Sequence, residues 1–177
     1  MAYYVVIRGP LGVGKSTVSQ RLASRIGADY IPIDRILEEH GLEEWDEDRI
    51  SLKSFLQANA IAVQRARTAL ARGTPVVFDG NFYWREAISD LLHKLDFDHY
   101  VFTLHAPLSV CIERDRQRPT TPSGREPRAG DSLGPEATRD VYGLVTRVEH
   151  GTPIDATGPV ETTVTMILRH LPTEASR

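Results

Sequence analysis

The run Gly9-Pro10-Leu11-Gly12-Val13-Gly14-Lys15-Ser16 constrains this chain more than any other stretch. It fits G-x-x-x-x-G-K-[ST], a loop whose backbone wraps a chain of phosphates. Its flanks are the ones such a loop needs. Tyr3-Tyr4-Val5-Val6-Ile7 is β-branched and aromatic with no breaker, which predicts a buried strand. After the loop, Val18, Leu22 and Ile26 recur at helical spacing with Ala23 beside them. Gly9, Gly12 and Gly14 permit backbone conformations closed to residues with a Cβ, so that successive N–H groups converge on phosphate oxygens. The start of the helix adds free N–H groups and the positive end of its dipole. Lys15 sets a positive charge against the β- and γ-phosphates, and the Ser16 hydroxyl suits Mg²⁺. The competing reading is a glycine-rich turn with an exposed lysine, and it leaves the complete motif and both flanks unexplained.

At 177 residues the chain is read as a single domain, 1–177, with room for a substantial core. Its 41% hydrophobic and 25% charged residues are those of a soluble globular protein. A net charge of −3 argues against a nucleic-acid scaffold or a membrane-surface protein, although a local basic patch would suffice for a nucleic-acid substrate. No apolar run approaches the roughly 20 residues of a membrane helix. The first strand begins almost at Met1 with no basic start or cleavage site, so a cytoplasmic location is expected. A single cysteine, Cys111, rules out an internal disulfide. Set between Val110 and Ile112, it reads as a buried structural thiol rather than a nucleophile. The six histidines have no metal-ligand spacing, and none is given a role.

Along the chain, strands and helices alternate. Residues 28–33 read as a second strand with Asp34 at its end, followed by a helical turn over 35–40 that Gly41 stops. Residues 38–48 hold seven acids and Trp45, and are expected to form a surface segment over the substrate side. Leu52, Phe55, Leu56, Ala60, Val63, Ala66 and Leu70 keep one face of a long helix apolar, and Gly73 ends it. A third strand over 75–78 closes on Asp79; a helix follows over 84–95 and a fourth strand over 99–104. Pro107 is placed in the first turn of the next helix. Residues 119–134, rich in Pro and Gly, read as a loop or mobile lid. A helix from Pro135, a strand over 153–156 and a helix over 159–171 complete the chain. This order predicts an α/β protein with a parallel sheet and helices on both faces, and with ligands beyond the carboxyl ends of the strands. The phosphate loop, Asp34, Asp79 and the 105–107 corner all fall at that end.

Asp34 would face the γ-phosphate across the cleft, where an acceptor hydroxyl needs a group to orient it and take its proton. Asp is also a favoured helix cap, and both roles can hold together. Arg35 reads either as a bidentate grip on an anionic substrate group or as a solvated partner of Glu38 or Glu39. Asp79, at the end of an apolar strand, is placed to hold Mg²⁺, with a turn-forming role as the alternative. Asn81, Tyr83, Trp84 and Arg85 lie on the loop beyond, and the aromatic pair could line a pocket or simply pack. Between residues 114 and 128 there are five arginines against two acids, a local charge of +3 in an acidic protein. Arg114 and Arg118, four apart, are read as sharing a helix face that closes on phosphate, as against a solvated arginine face.

The phosphate loop through Thr17, Asp34 with Arg35, Val76-Val77-Phe78-Asp79-Gly80-Asn81, Arg85, the arginine helix and Ile154-Asp155-Ala156-Thr157-Gly158-Pro159 together resemble a P-loop kinase. The resemblance is to the small AAA-domain predicted kinases, a group that also holds polynucleotide 5′-kinases, chloramphenicol phosphotransferase and zeta-toxin-like kinases. It spans nearly the whole chain. It implies a three-layer α/β/α fold with a five-stranded parallel sheet in the order 2-3-1-4-5 and an Arg-rich lid over about 114–134. It implies ATP and Mg²⁺, with Gly9, Gly12, Val13, Gly14, Lys15, Ser16 and Thr17 at the phosphates and an adenine pocket around Thr157, Gly158, Pro159 and Val160. Asp34 would act as base, Arg35, Asn81 and Arg85 would meet the acceptor, Arg114 or Arg118 would contact ATP phosphates, and Ser16 with Asp79 would hold the metal. Two departures stand out. In polynucleotide kinases the arginine lies a few residues beyond the aspartate, not next to it. The acids at 38–48 would also repel a nucleic-acid backbone. The expected activity is therefore transfer of the γ-phosphate from ATP to a hydroxyl of a small molecule. A polynucleotide 5′-hydroxyl or nucleotide kinase is the alternative. A switch ATPase or binding module is the alternative of another class; the chain lacks an Asn-Lys-x-Asp or Leu-Ser-Gly-Gly-Gln motif. No membrane partner is expected. ATP against GTP and the oligomeric state stay open at this level.

Overall fold

Strand β1 (Tyr3–Arg8) is apolar on both faces and therefore needs cover on both. Its residues alternate between two cores: Tyr4 and Val6 enter one, Val5 and Ile7 the other. The computed structural model describes residues 2–47, 49–123, 125 and 128–172. Met1, Asp48 of the acidic segment, and Gly124, Glu126 and Pro127 of the lid lie outside them.

The elements in order are α1 (Lys15–Ile26), β2 (Asp29–Pro32), α2 (Ile33–Glu39), β3 (Trp45–Asp46), β4 (Arg49–Ile50), α3 (Leu52–Ala71), β5 (Val76–Gly80), α4 (Arg85–Lys94), β6 (Asp98–His105), α5 (Leu108–Arg116), α6 (Gly134–Thr146), β7 (Thr152–Asp155) and α7 (Val160–Leu168). Five strands form one parallel sheet in the order β2-β5-β1-β6-β7. With the hairpin set aside, this is the expected order 2-3-1-4-5. Residues of α2, α3, α4 and α6 complete the core around Tyr4 and Phe78, and residues of α1, α5 and α7 the core around Ile7 and Phe102. Register delivers the site: Ile7 pairs with Asp79, and Pro32 with Asp79 from the other side, so the ends of β1, β5 and β2 sit side by side. Among the described residues no helix is long and apolar enough to cross a membrane.

Several local expectations shift. The acidic segment contains a small antiparallel hairpin, β3 with β4, whose two-residue strands are too short to carry a periodic signal. Helix α2 begins at Ile33, so the second strand stops at Pro32 and Asp34 falls in the first helical turn. Pro107 caps α5 in an extended conformation, one residue before the helix. Helix α5 ends at Arg116, which leaves Arg118 beyond it rather than on a shared helix face with Arg114.

Arg8 is the least expected buried residue, with no exposed surface. Its guanidinium donates to Thr103 Oγ1 at 3.0 Å, to the carbonyl oxygens of Val148 at 2.7 Å and Val145 at 3.1 Å, and to that of Phe82 at 3.3 Å. Val145 belongs to the last turn of α6, where its carbonyl also accepts from the N–H groups of Arg147 and Val148 and the dipole favours a cation. Burial and nearby Arg85 pull its ionisation down to about 10, so it stays charged at neutral pH. One side chain thus ties β1, β6, the loop after β5 and the end of α6. Arg8→Met should fold with a lowered urea midpoint, at a cost of about 3 kcal/mol, because buried carbonyls lose a charged donor. Unfolding curves that superimpose on wild type would remove Arg8 from this role.

Candidate active site

The phosphate loop leads directly from β1 into α1. Gly12 has φ 74° and Gly14 φ 100°, both in the left-handed region that favours glycine. Gly12 also lies against the backbone carbonyl of Cys111 in α5, where a Cβ would collide. Lys15 opens α1, and only 6% of its surface is exposed. Its amine donates to Pro10 O at 3.1 Å and to Asn81 Oδ1 at 2.9 Å. The backbone N–H of Asn81 also lies near enough to favour the ionised form of Asp34, so one residue of the loop after β5 acts on both the lysine and the aspartate. The next residue fixes that loop. Phe82 is fully buried, holds a left-handed φ of 45°, and packs its ring on Phe55. Such backbone strain persists where surrounding contacts over-determine it.

The charges form a coupled set. Burial lowers the Lys15 ionisation and the carboxylates of Asp34 and Asp79 raise it, while Arg118 opposes them. Burial raises Asp34, against Lys15, the Asn81 N–H and Arg118. Asp79 is only 2% exposed, and burial with the Asp34 charge pushes its carboxyl up to about 6. Lys15 and hydrogen bonds from Tyr30 and Ser16 pull it back. One buried and one half-buried carboxylate against one buried ammonium favour a further cation. The Ser16 hydroxyl with the nearby Asp79 carboxylate is an all-oxygen donor set suited to Mg²⁺, which takes one or two carboxylates and completes its shell with phosphates and water. Among the described residues no group of three or more His, Cys, Asp and Glu gathers elsewhere to hold a metal.

The other expected residues separate into two sides. On the nucleotide side, a cleft of about 460 Å³ is lined by Gly12, Val13, Gly14, Thr17, Arg114, Arg118, Gly158 and Pro159, among others. Arg114 donates to Val13 O at 3.1 Å, Ala156 O at 2.8 Å and Thr157 O at 2.9 Å. It thereby clamps the phosphate loop to the loop before α7. Arg118 pairs at 3.6 Å with Asp115, which is buried and also accepts from Ser132 Oγ and the Gly134 N–H at the base of α6. Beyond α5, the Ala129 N–H donates to Glu38 of α2 at 3.1 Å. On the acceptor side, Arg35 and Arg85 are both exposed. Tyr83 and Trp84 anchor the hairpin through Ile50, Trp84 Nε1 donating to Ile50 O at 2.9 Å, while Trp45 stands 64% exposed on β3. Cys111 is buried, as expected. Sequence reasoning missed Tyr30, whose hydroxyl donates to Asp79 Oδ2 at 3.0 Å, and Arg8. Arg8 lay one residue past the strand read over 3–7, and Tyr30 sat unremarked in the strand read over 28–33.

The raised Asp79 carboxyl fixes a sign. Between about pH 4 and pH 6 the folded protein binds a proton that the unfolded chain has released, so this group costs stability as pH rises through that window. In chelator and without nucleotide, wild type should lose about 3 kcal/mol relative to Asp79→Asn across it, with no further divergence at higher pH. Parallel urea-stability curves for the two proteins would remove the coupling.

Residues 5–132 match the AAA domain family. No curated protein matches the chain significantly. Among solved structures, a gluconokinase from Sinorhizobium meliloti superposes with a TM-score of 0.69 at 20% identity, over 94% of this chain and 89% of that one. A sugar kinase from Janibacter sp. gives 0.70 at 14% identity, over 96% and 94%. Deoxyadenosine kinase from M. mycoides with bound dATP gives 0.59 at 17% identity, over 96% and 99%. At these identities the likeness speaks for the fold.

Proposed function

The chain belongs to the AAA domain family, and from that premise we propose that it is a kinase that moves the γ-phosphate of ATP to a hydroxyl of a small-molecule acceptor, with Mg²⁺. The observation that carries this reading is the nearly inaccessible Lys15 amine, held at 2.9 Å by Asn81 Oδ1 just beyond β5 and coupled electrostatically to both Asp34 and Asp79. A cation suited to phosphate and a carboxylate suited to act as base thus share one cleft. The small-molecule and nucleoside kinases among its structural neighbours support the same reaction class.

Each residue has a part. The phosphate loop from Gly9 to Thr17 binds the nucleotide phosphates, and the loop through Thr157, Gly158 and Pro159 borders the base. Arg114 keeps those two loops together. Asp34 orients the acceptor hydroxyl and accepts its proton as the oxygen attacks the γ-phosphorus; burial raises its basicity, which suits that task. The bond to the β-phosphate oxygen breaks in line, and Lys15 with Arg118 meets the charge that collects there. Ser16 and Asp79 would hold Mg²⁺, which supplies charge neutralisation at the phosphates when bound. Arg35, Asn81 and Arg85 face the acceptor's side of the cleft, and the lid over 114–134 excludes water.

Lys15→Ala should lose nucleotide binding and turnover, measured by calorimetry and by transfer from γ-labelled ATP. Wild-type affinity in that variant would sink the assignment. Asp34→Asn should keep ATP binding while transfer falls by ~10² or more. Unchanged turnover would reduce Asp34 to a helix residue. The acceptor class is tested by offering labelled ATP with sugars and sugar acids, aminocyclitols, nucleosides, and RNA or DNA 5′ ends. Transfer only to nucleic-acid ends would overturn the small-molecule reading.

A further inference from the structure

We infer that Tyr30 is a positioning residue for the cation site formed by Ser16 and Asp79, an inference that rests on the kinase reading above. The geometry begins with strand parity. In the parallel pairing of β2 with β5, Tyr30 stands opposite Val77, and Asp79 lies two residues further along the same face. Val77 packs in the core beneath α1, with the ring of Tyr30 against it. The tyrosine therefore runs under α1 toward the carboxyl end of β5, and its hydroxyl donates to Asp79 Oδ2 at 3.0 Å. The side chains of Ser16 and Gln20 on α1 lie near enough to act on the same hydroxyl. Of the two groups expected to hold the cation, one accepts from the phenol and the other stands close to it.

Packing alone does not call for that phenol, because a phenylalanine would fill the space. What the hydroxyl adds is a fixed plane for a carboxylate that is only 2% exposed. By taking Oδ2 it fixes the orientation of Asp79 and turns the rest of the carboxylate toward Ser16. An ordinary phenol is protonated at neutral pH, so it is available as a donor. Arg, Lys or His would also have donated a hydrogen bond, but at the cost of a charge competing with the cation. Partners that orient metal ligands typically matter about 10- to 100-fold in metal affinity.

The test is binding calorimetry with ADP, in Mg²⁺ and in chelator, on wild type, Tyr30→Phe, Asp79→Asn and the double variant. Wild type should bind ADP more tightly with Mg²⁺. Tyr30→Phe should match wild type in chelator but lose about tenfold of the Mg²⁺-dependent tightening. In the Asp79→Asn background, adding Tyr30→Phe should change nothing further. In turnover, Tyr30→Phe should raise the Mg²⁺ concentration for half-maximal rate, with smaller change at saturation. An equal Mg²⁺ dependence in Tyr30→Phe and wild type overturns the inference. So does an equal weakening with and without Mg²⁺, which marks a purely structural residue. If wild type itself binds ADP without regard to Mg²⁺, the metal-dependent kinase reading falls and this inference with it.

Discussion

A buried ammonium facing one buried and one half-buried carboxylate is the constraint on which this molecule turns. Lys15 is nearly inaccessible, and burial works against its charge. Asp34 and Asp79 hold that charge in place, and Lys15 in turn keeps both carboxyls from rising further. None of the three is settled without the others. The parallel sheet exists, in functional terms, to bring them together. Lys15 follows β1, Asp79 ends β5 and Asp34 follows β2, three strands adjacent in space and far apart in sequence.

Around that centre, fixed contacts define what can move. Gly12 against Cys111 joins the phosphate loop to α5. Arg114 joins the same loop to the end of β7. The nucleotide side is therefore a single block of loop, helix and strand end. The facing side is built from different parts: α2, the hairpin held by Tyr83 and Trp84, and the strained loop at Phe82. Ser132 binds Asp115 of α5, and Ala129 binds Glu38 of α2, so the chain between α5 and α6 contacts both. A division of this kind lets one side stay constant while the other varies.

Much of this was legible in the sequence, for physical reasons. The buried strands announced themselves because a strand covered on both faces is a continuous apolar run, and the helices because their apolar residues recur every turn. The glycine loop was legible because only glycine tolerates the backbone it adopts. The hairpin was not, since two residues per strand carry no period. Nor was the separation of Arg114 from Arg118, which depends on where α5 stops. Arg8 and Tyr30 escaped because their meaning lies entirely in long-range partners: Val145 is 137 residues from Arg8, and Asp79 is 49 from Tyr30. A polar atom inside a strand signals that a partner exists, without saying which.

Arg8 has one more consequence. Its partners are a hydroxyl and three backbone carbonyls, none of which titrates, and its own charge persists to about pH 10. A histidine in the same place would have lost its charge and one of its donors as pH rose through its ordinary range, about 6.5. The strut beneath the acceptor loop is thus indifferent to acidity across the range in which Asp79 gains and loses its proton. The scaffold and the reactive groups answer to different variables, so a pH profile of turnover would read the chemistry at the strand ends and not the frame that carries it.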